Sequence, residues 1–159
     1  MTNKAMPAAV LANAVPEALV QTRYPEPFAS MVRGRVKRRL GDFFDLQGFG
    51  VNLVRIAPGA ASSVPHHHSA EDEFIYVLSG TLILMTDNTE TVLQEGMCAG
   101  FKAGNGIAHQ IRNQSDAEAV FLEVGSRLES DTVEYPFDDL ALQQTEDSWV
   151  FTHKDGSPY

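Results

Sequence analysis

PHHHSAEDEFIYVLSG, residues 65–80, decides how this chain is read. Its second half is a strand pattern: in extended backbone Glu73, Ile75, Val77 and Ser79 face one way, and Asp72, Phe74, Tyr76 and Leu78 the other. Both faces are mainly apolar, and the following TLILM is apolar on both faces too. One barrel interior cannot account for that much burial, so the outer face needs a cover. A second subunit, the N-terminal arm, or an arm exchanged between two subunits would serve, and a homodimer with two-fold symmetry is the commonest such assembly. The first half of the stretch carries three consecutive histidines. Side chains alternate along an extended segment, so His66 and His68 project to one side and His67 to the other.

Outward from this stretch, short β-rich runs alternate with turn residues between Val32 and Arg127: VRGRVKRRL, FGVNLVRIA, EFIYVLSG, TLILMT, ETVLQ, MCAGF, HQIRN and AVFLEVG. Many short strands without a convincing amphipathic helix predict an all-β barrel or sandwich. Residues 1–27, interrupted by Pro7, Pro16, Pro25 and Pro27, read as an irregular arm. Residues 28–127 form the barrel and residues 128–159 an acidic C-terminal extension packed on it, with a short helix near 138–144 and a last strand near 149–152.

The bulk numbers exclude several functions. With 159 residues, 43% of them hydrophobic, the chain is long enough for one real core. A formal net charge of −9 repels a phosphate backbone, and no basic amphipathic helix or long apolar run offers a membrane contact, so neither nucleic acid nor membrane is an expected partner. The local exception is RGRVKRR, residues 33–39, which places Arg33, Arg35, Lys37 and Arg39 on one strand face, either as a solvated edge or as an anion site. Cys98, the single cysteine, rules out an internal disulfide and reads as a buried structural thiol. Lys4, AMPAAVLA and Ala12-Asn13-Ala14 imitate a secretory signal, but Pro7 breaks the short apolar run, and a cytoplasmic location is expected.

A metal site built on His66 and His68 needs further donors. Glu73 shares the inward face of Ile75 and Val77, where a carboxylate is costly unless paired or bound to a cation, whereas Glu71 and Asp72 lie in a turn and can stay wet. His109 opens HQIRN and shares its face with Ile111 and Asn113; His67 and His153 read as surface residues. Three imidazoles and one carboxylate suit iron, manganese, nickel, copper or zinc about equally.

These residues resemble the two motifs of the cupin superfamily. The first appears as Gly59, six residues, His66-His67-His68, four residues, Glu73, FIYVLS and Gly80, one residue longer than the usual first spacing. The second appears as Gly96, MCAGF, Lys102 in place of proline, Ala103, Gly104, four residues, His109, QIR and Asn113, with two extra residues before the histidine. The resemblance covers residues 49 to 125. It implies a double-stranded β-helix, the jelly-roll barrel, holding a divalent transition metal (Fe, Mn, Zn or Ni) at His66, His68, Glu73 and His109. Cupins include dioxygenases, sugar isomerases, decarboxylases and non-catalytic binders, so resemblance leaves activity open. A small-molecule metalloenzyme, dioxygenase-like or sugar isomerase-like, is expected, and a non-catalytic binding or sensing protein is the alternative. The basic strand can greet an anionic substrate if it faces the cavity. Asn113 can either orient a neighbouring group or stabilise a turn.

Overall fold

The computed structural model describes residues 7–87, 89–144 and 148–159. Every strand expected between residues 32 and 125 forms: β1 (Arg35–Arg39), β2 (Phe49–Ile56), β4 (Glu73–Ser79), β5 (Thr81–Thr86), β6 (Thr89–Gln94), β7 (Cys98–Phe101), β8 (His109–Arg112) and β9 (Ala119–Ser126). The last strand expected near 149–152 also forms, as β12 (Trp149–Thr152), and three more were not expected: β3 (His67–His68), β10 (Val133–Glu134) and β11 (Ala141–Gln144). Two single-turn helices, α1 (Phe28–Met31) and α2 (Leu40–Phe43), flank β1.

The strands build three antiparallel sheets. One runs β1, β2, β9, β4, β7; a second runs β6, β5, β8; the third, β12, β11, β10, β3, carries the C-terminal residues onto the histidine segment. This is the all-β jelly-roll that the strand pattern and the resemblance predict. Alternation does the sorting: Val54 and Ile56 of β2, Ile75 and Val77 of β4, Leu82 and Leu84 of β5, Ile111 of β8 and Phe121 of β9 all meet in one core. Burying each large side chain contributes roughly 1.5–3 kcal/mol. A smaller cluster of Phe28, Val64, Tyr135 and Leu140 packs the C-terminal sheet against the barrel. The β4–β5 turn depends on Gly80, whose φ is +83°, and a Cβ there would stand 2.8 Å from that of Ala119.

Three expectations are corrected. The arm does not cover the outer face of β4: it lies along β1, where Ala18 N–H donates to the Lys37 carbonyl at 2.9 Å and the Gln21 side chain accepts from Lys37 N–H at 2.9 Å. It therefore caps the free edge of the five-stranded sheet, and Phe74, Tyr76 and Leu78 remain 42%, 40% and 39% exposed. Cys98 is exposed rather than buried, because the inward positions of β7 fall to Ala99 and Phe101, which pack on the core. Residues 141–144 form a strand rather than part of a helix, since pairing with β12, Ala141 opposite Thr152, outweighs local propensity. No helix among the described residues is long and apolar enough to cross a membrane.

Candidate metal centre

The histidine segment is held against β8 by a reciprocal pair of backbone hydrogen bonds, His66 N–H to the His109 carbonyl at 3.2 Å and His109 N–H to the His66 carbonyl at 2.9 Å. His66, His68, Glu73 and His109 therefore converge, and His67, as alternation requires, turns away to Glu134, 3.7 Å from its Nε2. The Glu73 Oε2 atom is the common neighbour: it lies 2.8 Å from His109 Nε2, 3.6 Å from His68 Nε2 and 3.8 Å from His66 Nε2.

The second nitrogen of each ring fixes what the first can do. His66 Nδ1 lies 2.9 Å from the Val64 carbonyl and His68 Nδ1 lies 2.6 Å from Asp131 Oδ2. Carbonyls and carboxylates only accept, so both Nδ1 atoms carry a proton, which leaves Nε2 of each ring as the nitrogen that can bind a metal beside Glu73. Burial, opposed by the attraction of Glu73, lowers the His66 pKa to about 4, so this ring is neutral at pH 7. Burial also pushes Glu73 up, but the hydrogen bond from His109 and the attraction of the histidines prevail and bring it to about 2. The Nε2 lone pair of neutral His66 thus faces an ionised carboxylate with no proton between them. A cation resolves that repulsion, and the donor set fits a borderline transition ion. His66, His68 and Glu73 form a group whose ligand atoms lie within 4.8 Å of one another.

The weaker second motif still delivers His109. The two extra residues are absorbed in a loop where Asn105 Oδ1 accepts from Ile107 N–H at 2.9 Å and Gly104 and Gly106 take φ of +68° and +70°. The ring of His109 then stacks on Phe101, centroids 3.7 Å apart and planes 6° from parallel. Its Nδ1 is buried without a hydrogen-bond partner. Asn113 settles into the turn: its amide donates to the Ile56 and Ala117 carbonyls, both at 2.8 Å, and its oxygen accepts from Ser115.

Several residues around the site escaped the sequence reading. Asp131 comes from the C-terminal extension, 63 positions from His68, and also accepts from the amides of Ala70 and Glu71 at 2.8 and 3.0 Å. Burial works against its carboxylate, but these bonds outweigh burial and hold its pKa below the usual range. Glu71, another possible donor beside it, accepts from Leu128 N–H instead. Tyr24 borders the cavity beside Tyr135, and burial raises both hydroxyl pKa values. His153 is likewise less free than expected, bonded to Asp139 and stacked on Tyr159.

The basic strand is the largest surprise. Arg33 lies before β1 and pairs with Glu26 at the surface, but Arg35 is 8% exposed, and Arg35 and Lys37 line the same cavity as His66, Glu73 and His109. The cavity measures about 140 Å3. Lys37 Nζ lies 2.6 Å from Oε2 of Glu123, on β9, and Asn52 donates to the same oxygen at 2.9 Å. Burial pushes Glu123 up, but Lys37 and Asn52 leave its pKa below the ordinary value. The edge position of β1 was expected; an inward-facing ion pair was not, because its carboxylate lies 86 residues away.

Comparison with known proteins agrees with this fold. The family model described as Cupin domain matches residues 52–125. A sugar phosphate isomerase of the cupin superfamily from Silicibacter pomeroyi shares 40% identity over 95% of this chain and 96% of its own, with a TM-score of 0.87. A protein from Acidithiobacillus ferrooxidans, provisionally named a sugar phosphate isomerase, shares 33% identity over 79% of this chain and 80% of its own, with a TM-score of 0.69. A polyketide cyclase from Streptomyces resistomycificus, at 21% identity, 89% coverage of both chains and a TM-score of 0.67, shares the fold. Comparison with curated proteins finds no match. Two motifs, the barrel that unites them and a relative alike over nearly its whole length place this chain in the cupin superfamily.

Proposed function

We propose that His66, His68, Glu73 and His109 hold a divalent transition metal and that the protein is a metal-dependent isomerase of a small sugar-type substrate. The observation that carries the reaction class is Glu123. Glu73 and Glu123 project inward from neighbouring strands, and because Glu73 pairs with Gly125 and Ile75 with Glu123 they are diagonal neighbours, a relation that spans roughly 7–8 Å between backbones. One carboxylate belongs to the metal cluster; the other, with Oε2 held by Lys37 and Asn52, faces the same cavity outside that cluster and is assigned the proton work.

Aldose–ketose isomerisation moves one proton between adjacent carbons and one between their oxygens. The bound metal would polarise those oxygens and stabilise the negative charge that develops as the C–H bond breaks. Glu123 takes the carbon-bound proton and returns it to the neighbouring carbon. Lys37, paired with Glu123, keeps the carboxylate ionised before transfer and donates a hydrogen bond to the oxygen that gains charge. Phe101 and Ile75 line the cavity beside the charged groups and limit the water that would compete for the proton. The 40% identical isomerase from Silicibacter pomeroyi supports the same class.

The test is solvent exchange. Metal-loaded protein incubated with pentoses, hexoses and their phosphates in D2O incorporates deuterium at the carbon next to the carbonyl, read by proton NMR, and Glu123→Gln removes the exchange while keeping the metal. Absence of exchange across the panel, together with substrate-dependent O2 uptake, would replace this reading with an oxygenase. We further propose that a second copy of the chain covers Phe74, Tyr76 and Leu78. A monomer in light scattering at micromolar concentration contradicts it.

A further inference from the structure

A second cavity, of about 300 Å3, adjoins the first across Arg35 and Lys37. The N-terminal arm from Ala18 to Arg23 forms one wall, and Arg35, Lys37 and Arg39 of β1 form the other. Its lining holds four cationic side chains and no carboxylate, in a chain whose formal net charge is −9. Among the described residues only Lys37 of these four has a close carboxylate, Glu123, and Arg39 a looser one at the surface, so the cavity keeps an excess of positive charge that suits an anion.

The individual side chains point the same way. Arg35 is 8% exposed; its two Nη atoms donate to the carbonyls of Ser62 and Gln21, while its buried Nε has no partner. Arg23 is exposed and makes no hydrogen bond or ion pair among the described residues. Arg39 has only Asp42, 3.7 Å away at the surface. Lys37 is already paired with Glu123, 2.6 Å away. Donor capacity therefore remains on three guanidinium groups around one space.

We propose that this outer cavity binds the phosphate of a phosphate monoester whose sugar end reaches the metal cluster, with Arg23, Arg35 and Arg39 as the recognising groups. A carboxylate offers two oxygens and is matched by a single guanidinium. A dianionic phosphate offers three and matches several forks at once. Arg35 and Lys37 border both spaces, so an anion held in the outer cavity lies one side-chain layer from the metal cluster, with its hydroxyls placed inward past these two residues. The subsite rests on the isomerase reading above for the identity of the sugar end.

Inorganic phosphate is the probe. Isothermal titration calorimetry compares metal-loaded wild type with the Arg23→Gln/Arg39→Gln double variant at fixed ionic strength. Both substituted side chains are exposed, and circular dichroism and metal content check that fold and metal centre persist. The expected result is phosphate affinity at least about tenfold weaker in the double variant, since charge-assisted bonds from two guanidinium groups are lost. Equal affinity overturns the proposal. Wild type stripped of metal is expected to keep its phosphate affinity within about twofold, because the anion is held by arginines; loss of binding with the metal would make phosphate a metal ligand and overturn the subsite. The two readings separate cleanly. Arginine-dependent phosphate binding without deuterium exchange retains the subsite and removes the isomerase. Exchange with sugar phosphates at a KM unchanged in the double variant retains the isomerase and removes the subsite.

Discussion

The two ends of the barrel interior are built from the same strands and have opposite chemistry. Along β4 the inward residues run Val77, Ile75, Glu73; along β9 they run Ala119, Phe121, Glu123; along β8 they run Ile111, His109. Each row begins in the hydrocarbon core and ends in a charged or ligating side chain at the same end of the barrel. The apolar end carries its own stability, because each group is simply removed from water. The polar end holds Glu73, Glu123, Arg35 and Lys37 out of bulk water, which is unfavourable unless each has a partner. Fold and site are thus separable along single strands, and the separation can be attacked from either side.

The largest effect belongs to the apolar end. Leu82 of β5 is fully buried in the core away from the cavity, and Leu82→Ala is expected to lower unfolding free energy in denaturant titration by about 2–5 kcal/mol, with metal stoichiometry unchanged in the fraction that stays folded. Loss of metal from folded variant would show that the two ends are one unit.

The polar end has a pH signature in metal-free protein. Both His66, at about 4 against 6.5, and Glu73, at about 2 against 4.5, are depressed in the folded state. Below those ordinary values the unfolded chain binds protons that the folded chain refuses. Stability is therefore complete above pH 6.5 and falls through the His66 window to about pH 4, then through the Glu73 window to about pH 2. The His66 part amounts to about 3 kcal/mol. Thermal melts across this range check it, and His66→Gln is expected to flatten the upper half of the curve; an unchanged profile would place the titration elsewhere.

Smaller effects sharpen the boundary. Asp131→Asn leaves the backbone contacts of Ala70 and Glu71 to a weaker acceptor and frees the tautomer of His68, so metal affinity is expected to fall about 10- to 100-fold in competition with a chelator. Cys98→Ser, opposite Tyr76 on the outer face that the second copy is proposed to cover, is expected to change stability by less than about 0.5 kcal/mol in dilute monomer and by more where the chain self-associates; the same small effect at every concentration would argue that this face stays open.

The strand ladder was legible because alternation and turn residues are local signals, and so was the convergence of His66, His68 and Glu73, because they lie within one short stretch of extended chain. His109 was legible through the second motif despite its irregular spacing. What escaped depends on contacts made across the fold. Asp131 meets His68, and Glu123 meets Lys37, only after distant strands pair. The inward turn of Arg35 and Lys37 was hidden for the same reason: a basic edge strand and a cavity wall have identical alternation, and only the partner on β9 tells them apart. Cys98 was misplaced because small apolar neighbours mark an edge strand as readily as a core one. The segment at 141–144 took strand form through a hairpin with β12 that no local pattern announced.

The central claim is that three imidazoles and Glu73 hold a transition metal. Elemental analysis of untagged wild type beside Glu73→Ala tests it most directly. The account predicts near-stoichiometric iron, manganese, nickel, copper or zinc in the wild type and its loss from a variant that remains folded. Full metal content in Glu73→Ala would move the site elsewhere, and wild type that folds but takes up no metal would contradict the account.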